Sequence, residues 1–274
     1  MTRPTSHRRA ALLVLLLLTA CTRPAARYDA AAGARELVRS ERQGSPFRHA
    51  IFEREPAAAG PTLHVYLEGD GTPWDSPARR AADPTPRAPV ALAMMARDPR
   101  PALLVGRPCY HLERPDPACA PQWWTDRRYA PEVVASLAAV IGAEIAAHGA
   151  SRVTLIGFSG GGALAMLLAP ELPQVTRVIT VAANLDLAAW TAHHAYPPLT
   201  ASLDPAVRPP LPARIAQKHY LGERDTNVPP ALLAALRARA PAADWEVVPG
   251  FDHRCCWVAR WPALLDAATG SGGP

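Results

Sequence analysis

Three short segments place residues suited to acyl-transfer chemistry directly after apolar runs. The first, Gly157-Phe158-Ser159-Gly160-Gly161, follows the apolar run 152–156 and opens a stretch of small residues at 160–168. Its Gly-x-Ser-x-Gly spacing suits a turn so tight that the serine sits in strained backbone and its neighbours must lack bulk. A serine there stands at a helix N-terminus, where backbone N–H groups favour negative charge. The second segment, Gly222 to Pro229, follows the run 218–221 and carries Asp225, with Glu223 as the alternative carboxylate. A carboxylate at a strand end can orient a histidine and stabilise its cation. The third, Pro249-Gly250-Phe251-Asp252-His253, follows the run 245–248 and supplies a histidine on a loop free to reach the serine as a general base.

These residues need a scaffold of strands that end on one side. The pattern predicts strands at 47–53, 62–67, 102–105, 152–156, 177–182, 218–221 and 245–248. Helices are expected at 90–97, from Pro131 onward, at 160–168, 188–193, 230–239 and 258–268, with a short amphipathic helix at 34–43. Proline and arginine make 72–89 a loop, and prolines make 184–214 irregular. Short apolar strands alternating with helices imply an α/β fold, a mostly parallel central sheet covered by helices on both faces. No interior linker separates two cores, so a single domain over 45–268 is expected, followed by a flexible tail at 269–274.

The chain order Ser159, Asp225, His253, each after a strand, resembles the α/β-hydrolase family. That resemblance covers about residues 45–268 and implies a catalytic triad. It implies an oxyanion hole from the N–H of Gly160 and one from the loop Glu68-Gly69-Asp70-Gly71, with Asp70 the donor and Gly71 or Gly69 the alternatives. Glu68 stands where many relatives carry histidine, and Asp70 adds a second acid, either of which can turn away and tie down the loop. The implied mechanism forms an acyl-enzyme on Ser159 and releases it to water, with no metal or organic cofactor.

The N-terminus reads as an address. Arg3, Arg8 and Arg9 precede the continuously apolar residues 10–18, the layout of a secretory signal over 1–20. Leu18-Thr19-Ala20-Cys21 resembles a bacterial lipobox, making Cys21 a lipidation site and 21–44 a lipidated N-terminus and tether. The expected location is the cell envelope, anchored by lipid, facing the periplasm from the outer membrane in a Gram-negative cell. Export leaves Cys109, Cys119, Cys255 and Cys256 for an oxidising compartment. A Cys109–Cys119 disulfide closing a Pro-rich loop is favoured; the adjacent Cys255 and Cys256 stay unassigned. With neither Cys-x-x-Cys nor His-Glu-x-x-His, no metal site is expected.

The formal charge is +5, but three of the arginines lie in that leader, so the body is nearly neutral and nucleic acid is not an expected partner. The expected partners are a small-molecule or lipid acyl substrate and, through the anchor, a membrane. The leading function is a serine hydrolase of esters, thioesters or amides, chiefly a carboxylesterase. An envelope peptidase or lipid acyltransferase and a non-catalytic binding lipoprotein are the alternatives. Trp74, Trp123, Trp124, Trp190 and Tyr196 are candidates for the pocket wall, and Arg79, Arg80 and Arg87 for an acidic substrate or lipid.

Overall fold

The structure is a computed structural model that describes residues 23–54, 60–114 and 116–270. The chain opens with α1 (Pro24–Gly33), then β1 (Leu37–Gln43), β2 (Arg48–Arg54) and β3 (Thr62–Leu67). A hairpin of β4 (Trp74–Ser76) and β5 (Arg79–Arg80) follows, then α2 (Val90–Met95) and β6 (Ala102–Val105). The remainder alternates: α3 (Pro131–Ala147), β7 (Arg152–Phe158), α4 (Gly160–Leu168), β8 (Val175–Val181), α5 (Leu187–His193), β9 (Ala216–Gly222), α6 (Ala234–Arg239), β10 (Asp244–Val248) and α7 (Trp257–Thr269).

Eight strands form one sheet in the order β1-β2-β6-β3-β7-β8-β9-β10. From β6 to β10 all neighbours are parallel; β2 runs antiparallel to both β1 and β6. The strands alternate their side chains, so each face has its own core. Leu63, Val65 and Leu67 of β3 pack with α3 and α4 on one face. Tyr66 packs with α1, α2 and α7 on the other. There a buried polar chain joins β3, α7 and the loop after α2. The Trp261 indole donates to Tyr66 Oη at 2.8 Å, and Tyr66 donates to Asp98 at 2.8 Å, while His64 Nδ1 meets the same carboxylate oxygen at 2.6 Å. In a dry interior such a network fixes how α7 sits on the sheet.

Two N-terminal expectations are corrected. Residues 24–33 are not a tether but α1, whose Ala25, Tyr28 and Ala32 are buried at helical spacing, with Tyr28 donating to Glu68 at 3.1 Å. That stripe was readable, and Pro24 marks its first turn. Residues 37–43 are a strand rather than an amphipathic helix. They form the polar edge of the sheet, and pairing with β2, a non-local contact, outweighs local preference. Residues 1–22 and 271–274, which carry the expected leader, Cys21 and part of the expected tail, lie outside the described residues. No helix among the described residues is long and apolar enough to cross a membrane.

Three buried histidines set the acid limit of this fold. Burial holds His49 down at about 4, and His111 and His219 at about 3. Unfolded, each takes a proton near 6.5. Below that pH the unfolded chain binds more protons, so stability is complete above 6.5 and is lost as pH falls toward 4. Glu68 and Asp29, both raised by burial, work in the opposite direction, while Glu41, Asp70 and Asp98, held below the usual carboxylate range by their partners, lose stability on acidification as the histidines do. Differential scanning fluorimetry between pH 7.5 and 4.5 is expected to show Tm falling throughout the lower half of the range. A flat profile contradicts neutral burial of these rings.

Candidate active site

Ser159 stands between β7 and α4 with φ 51° and ψ −124°, a region that side chains other than glycine rarely adopt. The strain persists because the surroundings over-determine it. The Ser159 N–H donates to Val181 O at 2.9 Å, and Gly162 N–H donates to Ser159 O at 2.9 Å. The turn crosses so close to β3 that a β-carbon on Gly157 would strike Gly161, and one on Gly161 would strike the carbonyls of Leu67 and Glu68. The glycines of the motif are therefore clearance, letting the helix start against the sheet.

Asp225 lies after β9 and His253 after β10. Asp225 is buried. Its Oδ1 accepts the N–H groups of Asn227 and Val228, both at 2.8 Å, which fixes the carboxylate. Its Oδ2 meets His253 Nδ1 at 2.8 Å, and His253 Nε2 meets Ser159 Oγ at 3.1 Å. The structure thus brings together the three residues singled out in the sequence. Glu223, the alternative carboxylate, faces elsewhere and accepts Gly250 N–H at 2.7 Å.

Sequence reasoning missed Asn227. Its Nδ2 lies 2.9 Å from His253 Nε2, while its Oδ1 accepts from the Trp190 indole at 3.3 Å. Because an indole only donates, that contact fixes which end of the amide faces the imidazole. Asn227 therefore donates to the same ring nitrogen as Ser159. The His194 ring donates to Asn227 O at 2.8 Å and braces the loop. The one sequence signal was position, two residues past Asp225.

The loop after β3 passes over the serine; a β-carbon on Gly69 would lie 3.2 Å from that of Ser159. Both acids of this loop turn inward. Glu68 accepts from Ala91 and Leu92 N–H at 3.1 and 3.3 Å and from Tyr28, so it caps α2 at a distance. Burial raises its pKa, and these donors offset part of that cost. The Asp70 carboxylate meets Arg107 at 2.8 Å, Arg128 at 2.9 Å and the Tyr129 hydroxyl at 2.5 Å. Burial alone would push Asp70 up, but the two guanidinium groups hold it below the usual carboxylate range. Its carboxylate lies against Gly160, where a β-carbon would strike both it and the Tyr129 hydroxyl. Among the described residues the N–H of Asp70 has no acceptor, and that of Gly160 is the first of α4. Both N–H groups are thus available to an oxygen that gains charge beside Ser159.

A cavity of about 1010 Å³ opens onto Ser159 and His253. Trp74, Trp190 and Tyr196 line it as expected, but Trp123 and Trp124 do not. Trp124 belongs to a separate apolar cluster with Phe47, Cys109 and Tyr110, against which Trp123 packs. The sulfurs of Cys109 and Cys119 are bonded, as are those of Cys255 and Cys256, two residues beyond His253. Outside the cavity lining, Glu53, Glu144 and His148 have potential ligand atoms within 4.8 Å of one another. Arg42 pairs with Glu144 at 2.6 Å, and His148 Nε2 hydrogen-bonds Glu53 at 3.0 Å.

No family model matches the chain, and no curated protein matches it in sequence. Solved structures do match. A lid-less α/β serine hydrolase from Xanthomonas campestris superposes with TM-score 0.57 at 13% identity, covering 87% of this chain and 96% of its own. An esterase from Pyrococcus furiosus gives 0.58 at 13% identity, over 89% and 92%. A membrane phospholipase A, a bacterial virulence factor, gives 0.55 at 16% identity, over 90% and 91%. The fold is the α/β-hydrolase fold. At these identities the likeness is one of architecture, and the chemistry has to be argued from the residues of this chain.

The Asp70 cluster yields a test. Asp70→Asn keeps the shape but leaves two buried guanidinium groups without their carboxylate, and is expected to cost about 3–5 kcal/mol in urea unfolding. Gly160→Ala, which drives a methyl into the same cluster, is expected to cost about 1–3 kcal/mol. Wild-type stability in both variants contradicts the cluster.

Proposed function

We propose that this protein is a serine hydrolase that cleaves an ester, or a related thioester or amide, through an acyl-enzyme on Ser159. One observation carries the reading: His253 bridges Asp225 and Ser159 through its two ring nitrogens at 2.8 and 3.1 Å. With Nδ1–H donated to Asp225, Nε2 is the acceptor and faces the serine hydroxyl. It takes the hydroxyl proton as Oγ bonds to the carbonyl carbon, and the carbonyl oxygen becomes an oxyanion held by the N–H groups of Gly160 and Asp70. The proton then passes to the leaving group as the C–O bond breaks. Water, deprotonated by His253, attacks the acyl-Ser159 ester, and the carboxylic acid departs with the serine regenerated. Asp225 stabilises the imidazolium in both halves without itself taking a proton.

The place of action proposed is the cell envelope, with the chain held by lipid on Cys21 after removal of residues 1–20. The basic and apolar leader and the Leu-Thr-Ala-Cys sequence support this.

A fluorophosphonate probe is expected to label the wild-type protein and not Ser159→Ala, with short 4-nitrophenyl esters turned over by the wild type alone. Asp225→Asn is expected to lower kcat by ~10⁴-fold, since the amide favours the wrong imidazole tautomer. Equal labelling of wild type and Ser159→Ala rules the reading out. For the anchor, Cys21→Ser is expected to shift the protein from the detergent phase to the aqueous phase in Triton X-114 partitioning; unchanged partitioning excludes lipidation at that residue.

A further inference from the structure

The charge lining the cavity is lopsided. Of its three acids, Glu68 and Asp70 spend their carboxylates inside the protein, as described above, which leaves Asp126. Against it stand Arg80, Arg87, Arg128 and Arg254. Arg87 is paired with Asp75 at 3.0 Å, and Arg80 lies 5.7 Å from the centre of the Trp74 ring. The Arg254 guanidinium has no hydrogen-bond or ion-pair partner among the described residues, and its residue is exposed.

Arg128 is the informative one. Its side chain is only 8% exposed, yet it lines the cavity. Nε donates to Thr125 O at 2.6 Å and Nη1 to Asp70 at 2.9 Å, while Nη2 makes no hydrogen bond among the described residues. The single charge of Asp70 is shared with Arg107, whose side chain is 2% exposed. Two buried cations therefore face one partly exposed anion beside Ser159. Uncompensated buried charge is costly, and a planar guanidinium with a free donor suits the oxygens of a carboxylate or phosphate. A positive lining between apolar walls also concentrates anions at the mouth.

We propose that the substrate is an anionic ester, whose carboxylate or phosphate group docks on Nη2 of Arg128 with Arg254 at the rim. Arg128 touches the carboxylate that itself lies against Gly160, so the anion sits a few bonds from the carbonyl under attack. The trait recognised is the negative charge; its bearer is either the acyl group or the alcohol. This inference rests on the hydrolase reading above.

The test compares matched esters on the full chain. One pair is 4-nitrophenyl hydrogen glutarate and 4-nitrophenyl pentanoate, which differ by a carboxylate on the acyl side. The other is monobutyrylglycerol 3-phosphate and monobutyrylglycerol, which differ by a phosphate on the alcohol side, followed by pH-stat. In at least one pair kcat/KM for the anionic member is expected to exceed that of the neutral one by ~10-fold or more, the scale of a charge-assisted hydrogen bond. The pair that shows the preference identifies the bearer, and added NaCl should shrink it. Arg128→Lys, which keeps a cation beside Asp70 but loses the fork, should lower kcat/KM for the anionic member more than for the neutral one. Because Arg128 also holds Asp70, the second variant is Arg254→Gln on the exposed rim, expected to remove a few-fold of the preference. Neutral members turned over as well as the anionic ones in both pairs, with Ser159 labelled by the probe, overturn the inference and leave the hydrolase reading standing. No labelling and no turnover of any ester overturns both.

Discussion

The turn from β7 into α4 must cross the end of β3 with no room for a β-carbon at Gly157 or Gly161, and the rest of the site is arranged around that crossing. Ser159 is held at φ 51° because its N–H is committed to Val181 and its carbonyl to Gly162. The strain is sustained by a sheet whose parallel strands are buried on both faces and by a helix whose first residues rest on the backbone of β3. The same crossing brings the loop after β3 over the serine, with Gly69 against Ser159. Asp225 and His253 arrive from β9 and β10, on the other side of β7 from β3, so Ser159 lies between the imidazole and the loop after β3.

The loop over the serine contains two acids where negative charge would oppose an oxyanion. The fold resolves this by turning both away. Glu68 is spent on the start of α2 and on Tyr28, a residue of α1, so the first helix of the chain helps set the loop's position. Asp70 is spent on two arginines, which convert a local negative charge into a buried cluster with an excess of positive charge. The side chain of Asp70 is thus neutralised, and its main-chain N–H is left without an acceptor among the described residues. The cost of burying three charges together is met only if the geometry is maintained, which makes the cluster a rigid strut between the β3 loop, Gly160 and the start of α3.

Much of the scaffold was legible because its signals are local. The limits of β3, β6 and α4 and the first residue of α3 follow from apolar runs bounded by glycine and proline. The edge strand β1 was not legible: its polar residues carry a helix-like pattern, and only pairing with β2 makes it a strand. Helix α1 was overlooked although Ala25, Tyr28 and Ala32 display a stripe, since the adjacent leader invites reading the segment as a tether. In the site, strand ends and chain order marked Ser159, Asp225 and His253. Asn227 and Arg128 carry no motif, because each acts through a partner far away in sequence.

What the sequence by itself determined was the inventory and its order: a serine framed by glycines, a carboxylate and a histidine at successive strand ends, and two cysteines able to close the Pro-rich loop. These follow from residue type and spacing along one chain, which is where turns, caps and strand periodicity act. Only the tertiary structure decided which carboxylate meets His253, that both acids of the β3 loop turn inward, which tryptophans line the cavity, and that Arg128 lines it too. Those outcomes depend on contacts between residues tens of positions apart. There, burial and charge pairing, rather than local preference, select one arrangement from the several the sequence allows.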